Sequence, residues 1–207
     1  MLHFTALPPA VARLLKRMAP LPALAGFSLA GGTSLALRFG HRLSVDLDFF
    51  TSQEFDPSRL PGVLPDAHHR ILGQTSGSLN LEVDGVKVDF LLHDYPLLAQ
   101  PEVLEGIRML SVLDVAAMKL NAIVNRGAKK DFYDLHTLLR HYPLPTLLDA
   151  YRRKYPNAEP FLLVRSLSFF EDAESEPDPV PLAGQSWPDV KDRVIRAVRE
   201  YPSRGLE

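Results

Sequence analysis

Cysteine is absent from the 207 residues, which removes disulfides, thiolate metal sites and a cysteine nucleophile together. Long apolar runs are missing as well, since none approaches the ~20 residues that a bilayer-spanning helix needs. The stretch from Met1 to Arg13 lacks the basic-then-apolar layout of a secretory signal. A cytoplasmic location and no membrane partner are therefore expected. Nor is there a large excess of one charge. A formal net charge of −2 argues against a uniformly basic nucleic-acid binder but allows a local patch. No internal repeat or low-complexity tract appears. What remains is ordinary for a globular chain, 46% hydrophobic and 23% charged, enough for one moderate domain with a core and an appended helical part.

The densest chemistry lies between Leu29 and Phe50. A short strand over Phe27 to Ala30 leads into Gly31-Gly32, where backbone N–H groups are open to phosphate oxygens. Thr33 or Ser34 is placed to cap a helix running to Phe39 and stopped by Gly40 in a left-handed conformation. The N-terminus of such a helix favours an anion. A strand over Ser44 to Phe50 then carries Asp46 and Asp48 on one face, with Val45, Leu47 and Phe49 on the other. Two carboxylates side by side repel unless a cation lies between them, and hard oxygen ligands suit Mg²⁺. Together these features read as a metal-dependent nucleotidyl-transfer site, with either Gly31-Gly32 or Gly32-Thr33 gripping phosphate.

Downstream, residues 51–70 are turn-rich, with one short helix expected over Pro57 to Leu64. Asp84-Gly85 is a two-residue hairpin signal. Leu79, Leu81 and Val83 alternate on one arm and Val86, Val88 and Phe90 on the other, leaving Asp89 on the opposite face as a candidate third carboxylate. From Ser111 the periodicity becomes helical. Ser111 and Asp114 have capping-box spacing, opening a helix from Val112 to about Arg126. A second helix, Lys129 to His141, is ended by Pro143 and Pro145. Helices are also expected over Leu147 to Tyr155, Pro160 to Phe170 and Pro188 to Tyr201. The layout is a catalytic core over 1–105, then a helical region over 106–207 with a Pro-rich linker near 176–188.

Lys119 lies in an apolar, Ala-rich helix, where a buried ammonium requires an anion, either an Asp or a phosphate. Arg126 is seven residues on and shares its face. Asp131 and Asp134 fit two roles, orienting Lys119 or Arg126, or acting as a general base. Residues 119–154 hold eight Lys/Arg against three Asp, and residues 171–178 hold five acids and no base. Solvated faces and a surface for RNA or triphosphate both explain this. His68, His69, His136 and His141 read as surface residues, Trp187 as a hydrophobic staple, and Tyr151-Arg152-Arg153 with Tyr155 as a helix end that would also suit RNA.

The order of motifs is specific. Gly-Gly-Thr-Ser-Leu-Ala-Leu-Arg at 31–38, Ser-Val-Asp-Leu-Asp-Phe-Phe at 44–50, Leu-Asp-Val-Ala-Ala-Met-Lys-Leu-Asn at 113–121 and Arg-Gly-Ala-Lys-Lys-Asp-Phe-Tyr-Asp-Leu at 126–135 resemble the AbiEii/AbiGii toxin family of the nucleotidyltransferase superfamily. The resemblance covers residues 29–139. It implies an α/β (α+β) nucleotidyltransferase fold, a mixed sheet with flanking helices followed by a helical bundle. It further implies Mg²⁺ (or Mn²⁺) on Asp46, Asp48 and Asp89. The nucleoside triphosphate would meet Gly31, Gly32, Thr33, Ser34, Lys119 and Arg126, and Asp131 would be essential. The acceptor would be tRNA or another RNA, and the partner a cognate antitoxin. A protein or small-molecule acceptor, or a non-catalytic module of the same fold, is the alternative.

Overall fold

The computed structural model describes residues 1–64 and 68–201. Seven strands form one mixed sheet. In chain order they are β1 (Ser28–Leu29), β2 (Leu47–Thr51), β3 (His69–Gln74), β4 (Ser78–Val83), β5 (Val86–Leu92), β6 (Glu102–Leu104) and β7 (Ile107–Met109). Their order across the sheet is β3-β4-β5-β2-β1-β7-β6. The helices are α1 (Pro9–Met18), α2 (Gly31–Phe39), α3 (Val112–Asn125), α4 (Lys129–His141), α5 (Leu144–Lys154), α6 (Pro160–Ser166), α7 (Glu171–Glu174) and α8 (Trp187–Glu200).

Two cores result, and α2 contributes to both. On one sheet face, Leu47 and Phe49 of β2, Leu79 and Leu81 of β4, and Val88 and Phe90 of β5 pack with Leu14, Leu15 and Met18 of α1. Period-two alternation puts these residues on one side, as the hairpin pattern requires. The second core gathers α3 to α8 around Leu120, Phe132, Tyr133, Leu147 and Trp187. Leu37 of α2 belongs to the first core and Leu35 to the second.

The Asp84-Gly85 turn forms as expected, with φ of 49° and 78°. It sets a register in which Leu81 faces Val88 and Asn80 faces Asp89. Gly40 ends α2 at φ 61°. Several expectations need correction. The first strand is only two residues long, α2 begins at Gly31 rather than Thr33, and β2 begins at Leu47, so Asp46 precedes it. Pro57–Arg59 and Pro61–Val63 are two 3-10 turns rather than one helix, because each proline restarts the chain at a first-turn position. Residues 65–67 of that turn-rich stretch lie outside the described residues. Pro145 does not break a helix but sits in the first turn of α5, a position that tolerates a missing N–H. Strand β3 and the β6–β7 hairpin carry too little alternation to be foreseen. The tight turn of that hairpin is Glu105-Gly106, so β7 stays in the sheet beyond residue 105 and pairs in parallel with β1.

Candidate active site

Strands β2 and β5 run parallel with Asp48 directly beside Asp89. Their side chains lie opposite the Leu47/Phe49 and Val88/Phe90 face and line a cavity of about 480 Å³, together with Asp46. This is the carboxylate wall. Asp89 is held by Asn80 Nδ2 at 2.9 Å and by Lys87 Nζ at 2.9 Å. Asp46 lies 4.0 Å from Lys130 Nζ. Burial pushes the Asp48 carboxyl above its ordinary range, and Asp89 and Asp46 push the same way against the pull of Lys119. A cation placed among the three would relieve that repulsion.

The facing wall is cationic and is built from a chain of alternating charge, buried from Asp131 to Arg42 and exposed at its Arg126 end. Arg126 donates Nε to Asp131 Oδ2 at 2.9 Å and Nη2 to Oδ1 at 3.1 Å. Lys119 Nζ bridges Asp131 Oδ1 at 2.8 Å and Asp134 Oδ2 at 2.7 Å. Arg42 grips Asp134 bidentately, Nε to Oδ1 at 2.7 Å and Nη2 to Oδ2 at 2.8 Å. His41 Nε2 lies 2.7 Å from Asp134 Oδ1. Burial alone would raise both carboxyls. Arg42 and Lys119 instead hold Asp134 well below its usual range, and Lys119 with Arg126 lowers Asp131. Burial also disfavours the Lys119 ammonium, but Asp134 and Asp131 reverse that and raise its pKa. Arg42, Lys119, Arg126 and Lys130 all border the cavity.

The glycine pair serves these walls directly. Gly31 has φ 62°, and a Cβ there would stand 2.2 Å from Asp48 Oδ2. A Cβ on Gly32 would stand 2.1 Å from Arg42 Nη2. Any side chain would thus displace either a carboxylate or a guanidinium. Both glycines border the cavity at the start of α2, where the first amides lack intrahelical acceptors.

Thr33 and Ser34 are the clearest correction. Neither caps α2, whose N-cap is Ala30. Thr33 is buried, with its hydroxyl 2.8 Å from that of Ser44 and donating to the Asp46 carbonyl, and Ser34 donates to the Gly31 carbonyl at 3.1 Å. Thr33 ties α2 to the segment that carries Asp46, Ser34 closes the glycine turn on itself, and neither lines the cavity. Val45 is another: it is exposed and lines the cavity rather than joining Leu47 in the core. Arg42, Lys87 and Lys130 also line the cavity, and no sequence pattern marks Arg42 or Lys130, whose partners Asp134 and Asp46 are distant in the chain. Among the described residues, no group of three or more His, Cys, Asp or Glu side chains is already gathered as a metal cage. The donor set of Asp46, Asp48 and Asp89 is nonetheless all carboxylate oxygen in one cavity, the chemistry a hard divalent cation takes.

Other sequence readings resolve into the core. His136 and Trp187 are buried, the latter packed on Phe132, Tyr133 and Phe170. Tyr151, Tyr155 and Lys154 are buried too, with Lys154 Nζ 2.7 Å from Asp114 Oδ1. Asp114 caps no backbone of its own box. Its carboxylate accepts from Leu98 N, Ala99 N and the Ser111 hydroxyl, although Ser111 does cap α3.

Residues 13–203 match the family of nucleotidyl transferase AbiEii toxins, type IV toxin–antitoxin systems. The chain belongs to that family. An uncharacterized protein of Aquifex aeolicus (strain VF5) is 40% identical over 184 residues, which is 84% of this chain and 87% of the relative. MenT4, a nucleotidyltransferase toxin from Mycobacterium tuberculosis H37Rv, superposes with a TM-score of 0.62 at 17% identity, covering 94% of this chain and 85% of its own. JHP933 from Helicobacter pylori gives 0.61 at 21% identity, covering 93% and 92%. Those two likenesses establish the nucleotidyltransferase fold, and membership of the AbiEii family makes the chain a nucleotidyltransferase. Among the described residues no helix is long and apolar enough to cross a membrane.

Proposed function

We propose that this AbiEii-family nucleotidyltransferase transfers a nucleoside monophosphate from a nucleoside triphosphate to an RNA acceptor such as the 3′ end of tRNA, as the toxin partner of a cognate antitoxin. The observation that carries the nucleotide half of this reading is the cavity with two opposed walls. Asp46, Asp48 and Asp89 stand on one side and Arg42, Lys119, Arg126 and Lys130 on the other. The RNA acceptor rests on the family. Asp46, Asp48 and Asp89 would hold Mg²⁺, or Mn²⁺ in its place, and a divalent ion bound there supplies charge neutralisation and a lowered acceptor-hydroxyl pKa.

The chain's own residues do the rest. Amides at Gly31 and Gly32 meet phosphate oxygens, and Lys119 and Arg126 face the charge that develops on departing pyrophosphate. The acceptor hydroxyl oxygen bonds the α-phosphorus as the bond to the bridging oxygen breaks. Asp89 takes the hydroxyl proton. Asp131 acts as a positioning residue, because its carboxylate is already engaged by Lys119 and Arg126.

Label transfer tests the reading. Purified protein, Mg²⁺ and total tRNA are incubated with each α-labelled nucleoside triphosphate in turn, beside Asp48→Ala. Label on RNA from the native protein, at least ~100-fold weaker in the variant, is the expected result. Label on protein alone would move the acceptor to a polypeptide. No transfer and no triphosphate binding would overturn the catalytic assignment.

A further inference from the structure

The extended segment after α7 is anchored at both ends across the cavity. At one end Lys129 donates its backbone N–H to Glu176 Oε2 at 2.8 Å and its Nζ to Asp178 Oδ1 at 3.0 Å. At the other, Leu43 N donates to the Val180 carbonyl and Leu182 N to the His41 carbonyl, each at 2.9 Å. Gln185 Nε2 joins the same His41 carbonyl at 2.9 Å. The segment therefore runs antiparallel to residues 41–43, with Arg42 bridged to Pro181. Asp178, Pro179 and Val180 become part of the cavity lining.

Two side chains there are out of character. Val45 is 52% exposed and Val180 is 56% exposed, and both stand at the edge of a cavity that Leu43, Phe50, Leu91 and Met118 also line beside its carboxylates and cations. An apolar rim serves neither a metal nor a triphosphate. It suits the one part of a nucleoside triphosphate that is flat and weakly hydrated on its faces. We propose that Val45 and Val180 form the nucleobase contact of this site, and that the strap over 176–185 is the element that sets nucleotide affinity and preference. The inference rests on the nucleotide reading above. Burying a base against two valines contributes roughly 0.8 kcal/mol for each CH₂-sized group covered, a factor of about four each. Because Val180 is carried on a strap held by Lys129, loosening that anchor acts first on the position of the valine that meets the base.

The test compares two probes in the presence of Mg²⁺, the four nucleoside triphosphates and inorganic tripolyphosphate, by calorimetry on the full chain. Val45→Ala and Val180→Ala are exposed changes that leave both cores intact. Each removes two methyl groups and is expected to weaken the preferred nucleoside triphosphate by up to about fifteen-fold and to leave tripolyphosphate within a factor of about two. Lys129→Gln is expected to show the same selective loss. Unchanged nucleotide affinity in both valine variants would overturn the base contact while leaving the nucleotide reading in place. Parallel loss of tripolyphosphate would overturn it as well. A native protein that binds neither probe would remove the nucleotide reading and this inference together.

Discussion

At the scale of single residues, the site is governed by who stands next to whom within a few ångströms. Gly31 illustrates it, since its positive φ and the nearness of Asp48 Oδ2 leave no room for a methyl group. Gly31→Ala should cost about 1–3 kcal/mol for a left-handed non-glycine residue. It should cost transfer activity more heavily, roughly 100-fold or more, because Asp48 must move. Single-turnover transfer beside a denaturant titration separates the two effects, and an active, slightly destabilised variant would show that Asp48 tolerates displacement. The glycine pair was legible from sequence as a turn that admits phosphate. Its second use, making space for Asp48 and Arg42, was not legible. That depends on side chains arriving from β2 and from the segment after α2.

At the scale of elements, helices and strands followed local rules closely where the pattern was strong. Alternation and Asp84-Gly85 defined the β4–β5 hairpin, and β5 then placed Asp89 beside Asp48. Helix α3 started at its Ser111 cap. The basic end of α5 did not follow its composition. Lys154 reads as one of three consecutive solvated cations, yet it is fully buried against Asp114 and the Pro96 carbonyl. The pair joins α5 to the start of α3. Lys154→Met keeps the apolar stem and removes only the charge, leaving Asp114 buried without its counter-ion. A loss of about 3–5 kcal/mol is expected, measured as a shift in the urea midpoint at constant slope. A shift worth less than about 1 kcal/mol would mean that Ser111 and the amides of Leu98 and Ala99 suffice for Asp114.

At the scale of the whole molecule, stability depends on pH through two histidines, His136 buried in the helical half and His93 half-buried just after β5. His136 is buried near Arg193 and Arg140, with Asp189 opposing them, and burial first and the arginines second pull its pKa down to about 4. Burial, with Lys154 adding to it, takes His93 to about 4 as well. The unfolded chain titrates near 6.5, so between about pH 6.5 and 4 it binds protons that the folded state refuses. Stability from these two groups is therefore complete above pH 6.5 and is lost as pH falls through that window. For His136 the loss is on the order of 3 kcal/mol at most. Melting temperature measured from pH 7.5 to 4.5 should fall steadily, and His136→Leu should flatten part of the slope. A profile unchanged by that substitution would show that His136 is not held neutral.

The sequence by itself determined the motifs, their order, the hairpin and the placement of Asp48 and Asp89 for one face, whereas Asp46 reaches the cavity from the segment before β2. These follow from φ/ψ sterics and from period-two or period-3.6 alternation, which act over a handful of residues. Tertiary structure decided the charge pairing and the cavity's rim. Arg42 meets Asp134 across 92 positions, and Lys129 meets Asp178 across 49. A buried ion accepts whichever counter-charge the fold brings within about 3 Å, and no local pattern records which one that is. For the same reason a Pro-rich stretch that reads as a linker becomes a wall of the carboxylate-lined cavity, held there by hydrogen bonds to His41 and Leu43.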